Sequence, residues 1–228
     1  MNVIQQNIEY IRQSIPTGVT LVAVSKTKPV ADIKEAMKAG QQIFGENKVQ
    51  ELVVKAKEIN EPVKWHMIGH LQTNKVKLLL PHVHLIHSVE SFKLARVINA
   101  EAEKIGKIIP CLLQIHIAQE ETKFGFSEEE VLSMLQLPEF YSLKNIEVHG
   151  LMGMATYTDE MSVVRKEFAF LRMLFEKLKT NYFRDNPWFK ELSMGMSNDY
   201  RIAIDEGTTM IRIGSLIFGE RNYKQTEQ

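Results

Sequence analysis

The sequence predicts one α/β domain over residues 1–228, a single (β/α)8 barrel of the TIM type with an additional N-terminal helix. Short apolar runs alternate with amphipathic segments along the whole chain, eight such runs occur, and seven of them are followed by a helical pattern. Because strands that alternate with helices pair in parallel through right-handed crossovers, eight such units favour a closed barrel. A doubly wound open sheet is the alternative.

The first half of the chain supplies the opening helix and four strand–helix units. Apolar residues spaced by three, four or seven positions predict a helix over Asn2–Ile15, which ends before Pro16 and Gly18. The unbroken apolar run Val19–Val24 is typical of a strand covered on both faces. The later segments are a helix 30–39, a strand 42–45, a helix 47–59, a strand 63–69, a helix 73–80, a strand 84–87 and a helix from about 91 to 105.

The second half continues the alternation. Its segments are a strand 110–117, a helix from 127 to about 137, a strand 146–154, a helix 160–180, a strand 192–194, a short helix 198–205 and a last strand 210–218. Ser127 and Glu130 have the spacing of a capping box. The tail after Gly219 is too short and polar for an eighth long helix. We therefore expect the opening helix, Asn2–Ile15, to cover that gap in the outer ring.

Composition excludes several classes of protein. Lys and Arg number 28 and Asp and Glu number 28, so the formal net charge is +0, which argues against a broadly basic nucleic-acid binder. The sequence has no long apolar run and no signal-peptide pattern at its start, so we expect a cytoplasmic protein without a membrane partner. The single cysteine, Cys111, excludes an internal disulfide and is expected in the core. We expect a monomer.

Candidate functional residues follow from the barrel, because the functional groups of such folds lie where strands end. This rule selects Lys26, Asn47, His70, Ser88, Gln119, Thr156, Ser197, Arg212, Gly214 and Ser215. Lys26 directly follows an apolar strand, and a partly desolvated ammonium has a lowered pKa, so its amine can form a Schiff base with a carbonyl. The alternative is a strand-end lysine that extends into water. Other lysines have helical surface spacing and are expected in solvent, among them Lys34, Lys38, Lys55 and Lys57.

Two turns that contain glycine favour a phosphate site. The segment 193–199 leads from a strand into a short helix, where a glycine and a capping residue leave backbone amides available to an anion. Gly214 and Ser215 lie in the last strand, where barrel enzymes often complete a phosphate site. Each turn alone has an ordinary structural explanation, but the two positions together favour a phosphorylated ligand. Arg212, within the same apolar segment, needs a hydrogen-bond acceptor.

Histidines cluster in the sequence without predicting a metal site. His66 and His70 are four residues apart, and His82, His84 and His87 surround one strand. No cysteine or carboxylate joins them at the spacing of metal ligands. We therefore predict no bound metal.

Six motifs occur in order along the chain: Val24–Pro29, Phe44–Asn47, Trp65–Lys75, His149–Met152, Ser193–Ser197 and Arg212–Gly219. Together they resemble the pyridoxal phosphate homeostasis protein family, whose barrel is similar to the N-terminal domain of alanine racemase. The resemblance covers essentially the whole chain. It implies that Lys26 holds pyridoxal 5′-phosphate (PLP) as a Schiff base. It also implies six further contacts: Asn47 along the ring, Arg212 at the pyridine nitrogen, and Met196, Ser197, Gly214 and Ser215 at the phosphate.

The implied function is the buffering or delivery of PLP within vitamin B6 homeostasis, with apo PLP-dependent enzymes as candidate recipients. An arginine at the pyridine nitrogen disfavours the protonated ring and so weakens carbanion stabilisation. Racemases with that arrangement use two bases, one from another domain, and in 228 residues we expect no room for that domain. We therefore expect a carrier without robust catalysis, and not an enzyme.

Two enzymatic alternatives stay open. A single-domain PLP-dependent amino-acid racemase would exchange the α-hydrogen of alanine or serine. A barrel aldolase that uses Lys26 with a sugar phosphate would be colourless as purified. The sequence around Lys123 is explained equally well by a role in cofactor release and by an ordinary position on the surface.

Overall fold

In a computed structural model of the chain, residues 1–120 and 124–220 are described. The strands are Thr20–Val24 (β1), Ile43–Glu46 (β2), Lys64–Met67 (β3), Val83–Val89 (β4), Ile109–Ile115 (β5), Ile146–Gly153 (β6), Glu191–Ser193 (β7) and Met210–Ile213 (β8). They pair in parallel in chain order, and β8 pairs with β1 to close the barrel. The prediction of a closed (β/α)8 barrel is confirmed, and the open-sheet alternative is wrong.

The helices form the outer layer. They are Val3–Ser14 (α1), Val30–Lys38 (α2), Val49–Glu58 (α3), Val76–Leu79 (α4), Phe92–Lys104 (α5), Glu128–Leu135 (α6), Pro138–Tyr141 (α7), Met161–Asn181 (α8), Tyr200–Asp205 (α9) and Ser215–Phe218 (α10), with a 3₁₀ turn at Thr73–Lys75 before α4. The predicted capping box is present at the start of α6. There the Ser127 hydroxyl accepts from the Glu130 amide at 3.1 Å, and the Glu130 carboxylate accepts from the Ser127 amide at 2.8 Å.

Helix α1 occupies the predicted gap in the outer ring, where it packs against α2 and α10. Its apolar stripe buries Ile8 and Ile11 completely. The side-chain amide of Asn7 donates to the carbonyl of Ile217 in α10 at 3.0 Å. The first helix of the chain therefore lies between α2 and α10, where a full-length eighth helix would otherwise lie.

The last strand is shorter than the sequence predicts. A strand over 210–218 is wrong in its second half, because β8 ends at Ile213 and α10 begins at Ser215. The apolar run continues past the strand because Ile217 and Phe218, which lie in α10, are also buried. An apolar run by itself does not distinguish a buried strand from a buried helical turn. Gly214 therefore lies at the junction of β8 and α10.

The core has two parts, and Cys111 belongs to the larger one, between the sheet and the helices. A smaller cluster fills the barrel interior with Val22, Leu85, Leu112, Met152 and Met210. Burial raises the pKa of the Cys111 thiol, so this cysteine behaves as an apolar packing group, as predicted. None of the helices in the described ranges combines the length and the apolar character that crossing a membrane requires.

Gly150 offers a test of how tightly the barrel closes. Its φ is +152°, and a Cβ at this position would collide with the carbonyl oxygen of Glu191 in β7. We expect Gly150→Ala to lower the free energy of unfolding by about 3 kcal/mol, because backbone in two neighbouring strands must shift. Gly106→Ala is the control, since Gly106 has φ +62° but nothing within 4 Å. It should cost about 1 kcal/mol in urea unfolding. Equal losses in both variants would contradict the packing argument.

Candidate functional site

A cavity of about 460 Å³ opens at the C-terminal end of the barrel. Its lining contains all seven residues that the resemblance assigned to the cofactor: Lys26, Asn47, Met196, Ser197, Arg212, Gly214 and Ser215. These residues lie in or directly after β1, β2, β7 and β8, so closure of the sheet brings them together. Thr156, after β6, also lines the cavity. The structure thus places the predicted residues at one site, while their roles toward a cofactor stay predictions.

Lys26 stands at the rim of the cavity, two residues after the end of β1. The amide of the preceding Ser25 donates to the carbonyl of Gly45 in β2 at 3.0 Å, which extends the sheet to the residue before Lys26. Lys26 itself is half-buried. Its backbone is therefore anchored on the sheet while its side chain borders the cavity.

The turn after β7 requires its glycine. Gly195 has φ +95°, and a Cβ there would lie 2.6 Å from the Cβ of Ala203 in α9. Within the described part of the chain, the amides of Ser197, Asn198 and Gly214 donate no hydrogen bond to another residue. Unengaged amides on two neighbouring turns fit an anionic group such as a phosphate.

The amide of Met196 is arranged differently from the other amides of that turn. It donates to a carboxylate oxygen of Asp199. The resemblance assigned Met196 to the phosphate, but in this structure its N–H is engaged by an acidic side chain. An anion that used this amide would have to displace the Asp199 carboxylate.

Arg212 is buried at the base of the cavity, with 3% of its surface exposed. Its guanidinium donates to the hydroxyl of Ser193 at 2.7 Å and to the carbonyl of Gly153 at 3.0 Å, which are the acceptors that the sequence required. Burial lowers the pKa of Arg212 to about 10, although the charge of Asp199 opposes this. The guanidinium therefore carries its positive charge at neutral pH and cannot turn away from the barrel axis without losing two hydrogen bonds.

Two buried histidines continue from Ser193 into the barrel. His87 Nδ1 lies 3.1 Å from the Ser193 hydroxyl, and His87 Nε2 lies 2.9 Å from His66 Nδ1. Burial lowers the pKa of His66 to about 3 and that of His87 well below 6.5, so both rings are neutral. Arg212 donates to the Ser193 hydroxyl, and the two contacts of His87 continue this series of hydrogen bonds from Ser193 to His66. Sequence reasoning missed this series of hydrogen bonds. Its signal in the sequence was the presence of polar residues within otherwise apolar strands.

The structure corrects the expectation that Lys55 is solvated. Its side chain is 7% exposed, and its ammonium donates to Glu46 at 2.7 Å, to Glu51 at 2.7 Å and to the carbonyl of Ser25 at 2.8 Å. The sequence signal was the Glu51–Lys55 pair one helical turn apart, but such pairs are usually found on exposed faces. Burial raises the pKa of Glu46 even though Lys55 acts in the opposite direction. Lys34 and Lys57 are exposed as expected.

Some of the residues that end strands lie outside the cavity. His70 is exposed, and Ser88 is fully buried in β4. Gln119 is exposed, and its backbone N–H donates to the hydroxyl of Thr156 at 2.9 Å, which supports the loop after β6. Lys123 lies outside the described residues, so its suggested role in cofactor release stays a hypothesis. No group of three or more possible metal-binding side chains occurs within residues 1–120 and 124–220.

The fold and its lysine-bearing cavity define a barrel of the alanine racemase type. The family model described as "Alanine racemase, N-terminal domain" matches residues 1–222. The structure of alanine racemase from Clostridium difficile 630 superposes with a TM-score of 0.77 at 14% identity, over 97% of this chain and 57% of that chain, which shows a shared fold.

The chain belongs to the pyridoxal phosphate homeostasis protein family. The protein of that name from Pasteurella multocida (strain Pm70) is 39% identical over 228 residues, which cover 97% of this chain and 96% of that protein. Two solved structures of PipY from Synechococcus elongatus PCC7942 are each 34% identical and cover 95% of this chain and 100% of that one. The structure without PLP superposes with a TM-score of 0.89, and the one with PLP bound with a TM-score of 0.86.

The neutral histidine pair predicts destabilisation by mild acid. His66 has a pKa of about 3 in the folded chain and about 6.5 in the unfolded chain, so the unfolded chain takes up the proton first. Its contribution to stability is therefore complete above about pH 7 and declines by about 1.4 kcal/mol per pH unit as the pH falls from 6.5 toward 3. Urea unfolding between pH 7.5 and 5.5 measures the start of this decline before carboxylates titrate, and His66 should account for a loss of about 1.4 kcal/mol over these two pH units. His66→Gln should reduce the slope, and an unchanged slope would contradict the assignment.

Proposed function

We propose that this chain binds PLP in the cavity at the C-terminal end of the barrel and serves PLP homeostasis by holding the cofactor and handing it on. The observation that carries the proposal is the convergence of an amine, unengaged amides and a buried guanidinium on one cavity. The family relatives are named for PLP homeostasis, and PipY has been solved with PLP bound. Lys26 matches the aldehyde of PLP, the turn amides match its phosphate, and Arg212 matches its pyridine nitrogen.

When bound, PLP supplies an aldehyde that reacts reversibly with amines and a ring that withdraws electrons. We assign Lys26 as the residue that holds it, as a Schiff base through Nζ. The amides at Ser197 and Gly214 bind the phosphate, together with Ser215 and, once Asp199 releases it, Met196. Asn47, after β2, borders the ring.

Arg212 favours storage over turnover. Its guanidinium is positively charged and is fixed by Ser193 and Gly153. A positive charge at the pyridine nitrogen opposes protonation of the ring, so it weakens stabilisation of a carbanion. We therefore propose a carrier without robust catalysis, active as a monomer, from which apo PLP-dependent enzymes receive the cofactor.

Replacement of Lys26 tests the attachment. With PLP, the wild-type chain should turn yellow, and borohydride should bleach the colour and leave the reduced cofactor on the peptide that contains Lys26. Lys26→Ala should lose the yellow absorption of the bound cofactor. It should also bind PLP at least about tenfold more weakly, a loss of about 1.4 kcal/mol in binding free energy, because the covalent bond is absent. Lys34→Ala, which removes an exposed lysine, is the matched control. A label on another lysine, or a yellow Lys26→Ala protein of unchanged affinity, would contradict the assignment.

Exchange of the α-hydrogen tests the absence of turnover. The PLP-loaded chain is incubated with L-alanine or L-serine in deuterated water, and incorporation of deuterium is followed by NMR. A carrier should exchange far below the roughly 1–1000 s⁻¹ that is typical of enzymes, and close to the rate of free PLP. Exchange at about 1 s⁻¹ or faster would favour the racemase alternative and overturn the carrier proposal.

A further inference from the structure

The peptide groups on both sides of Lys26 are held by side chains of helix α3. The ammonium of Lys55 donates to the backbone carbonyl of Ser25 at 2.8 Å. The carboxylate of Glu51 accepts from the backbone N–H of Thr27 at 2.6 Å. Glu51 and Lys55 are themselves paired at 2.7 Å. One helix therefore fixes the chain immediately before and immediately after Lys26.

Thr27 is held in an unfavourable backbone conformation. Its φ is +65°, in the left-handed region that β-branched residues rarely adopt, and it is the only non-glycine residue with a positive φ in the described ranges. This conformation costs roughly 1–2 kcal/mol, so contacts with the surroundings must maintain it. The hydrogen bond from the Thr27 amide to Glu51 is such a contact. The Lys28 amide also donates to the Ser25 carbonyl at 3.0 Å, so Glu51 and this backbone bond together fix the direction in which the chain leaves Lys26.

Burial of the charged cluster is costly, which argues that it does more than stabilise the fold. Glu46 is fully buried at the end of β2, where it accepts from Lys55 at 2.7 Å and from the Ser25 hydroxyl at 2.6 Å. Apolar residues that replace buried ion pairs are often neutral or stabilising. Lys55 also does not line the cavity. Its contacts lead to the backbone beside Lys26, so any effect on a ligand passes through that backbone.

We propose that Lys55, acting through Glu51 and the carbonyl of Ser25, is a positioning residue that aims the amine of Lys26 into the cavity and so sets how completely it bonds to an aldehyde. The inference rests on the proposed attachment at Lys26. That step is a condensation, in which the amine nitrogen forms a C=N bond and the aldehyde oxygen leaves as water. Lys55, Glu46 and Glu51 add and remove no atom in it.

Two ligands that differ only in the aldehyde separate positioning from folding. PLP can bond to Lys26, whereas pyridoxine 5′-phosphate carries an alcohol at that position and binds without a covalent bond. Lys55→Met removes the ammonium but keeps an unbranched side chain of similar volume. We expect it to lower PLP affinity about tenfold and to lower the yield of borohydride-fixed adduct at Lys26, with the affinity for pyridoxine 5′-phosphate unchanged. Lys57→Met, on the exposed face of the same helix, should change neither affinity.

A second pair of variants tests the route through Thr27. Glu51→Ala removes the acceptor of the Thr27 amide. It should lower the affinity for PLP and leave the affinity for pyridoxine 5′-phosphate unchanged. Adding Thr27→Gly to Glu51→Ala should restore most of that loss, because glycine adopts a positive φ without support. Hydrogen exchange of the residue-27 amide, measured by NMR without cofactor, should be about tenfold faster in Lys55→Met and Glu51→Ala than in the wild type.

The outcomes distinguish this inference from the proposed function. If the wild type forms no adduct at Lys26, the proposed function fails and the positioning role fails with it. If the adduct forms but Lys55→Met leaves the ratio of the two affinities unchanged, only the positioning role is overturned. Equal losses for both ligands would show a purely structural role and would also overturn it.

Discussion

The pairing of β1 with β8 is the constraint on which the site depends. It places Val22 opposite Arg212 and Ala23 opposite Ile213. Lys26 and Gly214, far apart in the chain, therefore come to the same rim. The approach is close, because a Cβ at Gly214 would lie 3.3 Å from the carbonyl oxygen of Val24. Glycine at this position lets the first and last strands of the barrel end side by side.

Buried polar groups behind the cavity determine the geometry of the groups that face it. Arg212 is held by Ser193, and Ser193 is held by the neutral pair His87 and His66. On the opposite side of the first strand, Lys55 and its carboxylates hold the backbone around Lys26. Each of these networks joins several strands or helices. A group that faces the cavity is therefore fixed by residues that do not themselves line it.

The barrel shared with alanine racemase does not by itself assign an activity, because folds of this type host many chemistries. What the cavity can do depends on the charges placed in it. Arg212 brings a fixed positive charge to the base of the cavity. At the rim, the carboxylate of Asp199 accepts a hydrogen bond from the Met196 amide. Such an arrangement suits reversible holding of an anionic ligand, since one charge attracts it and the other competes for its backbone contacts.

The sequence by itself determined the eight strands and the helices that follow the first seven of them. It also determined the capping box of α6, the place of α1 in the outer ring and the set of cavity residues that includes Lys26. These follow from local periodicity, from capping chemistry and from motifs in a fixed order, all of which are visible along the chain. Only the tertiary structure decided that Lys55 is buried, that Asp199 engages Met196 and that the last strand ends at Ile213. Helical spacing shows which residues share a face, but not which side of α3 lies on the sheet. An apolar run shows burial, but not whether a strand or a helix achieves it. Both depend on contacts between segments distant in sequence, which form only when the barrel closes.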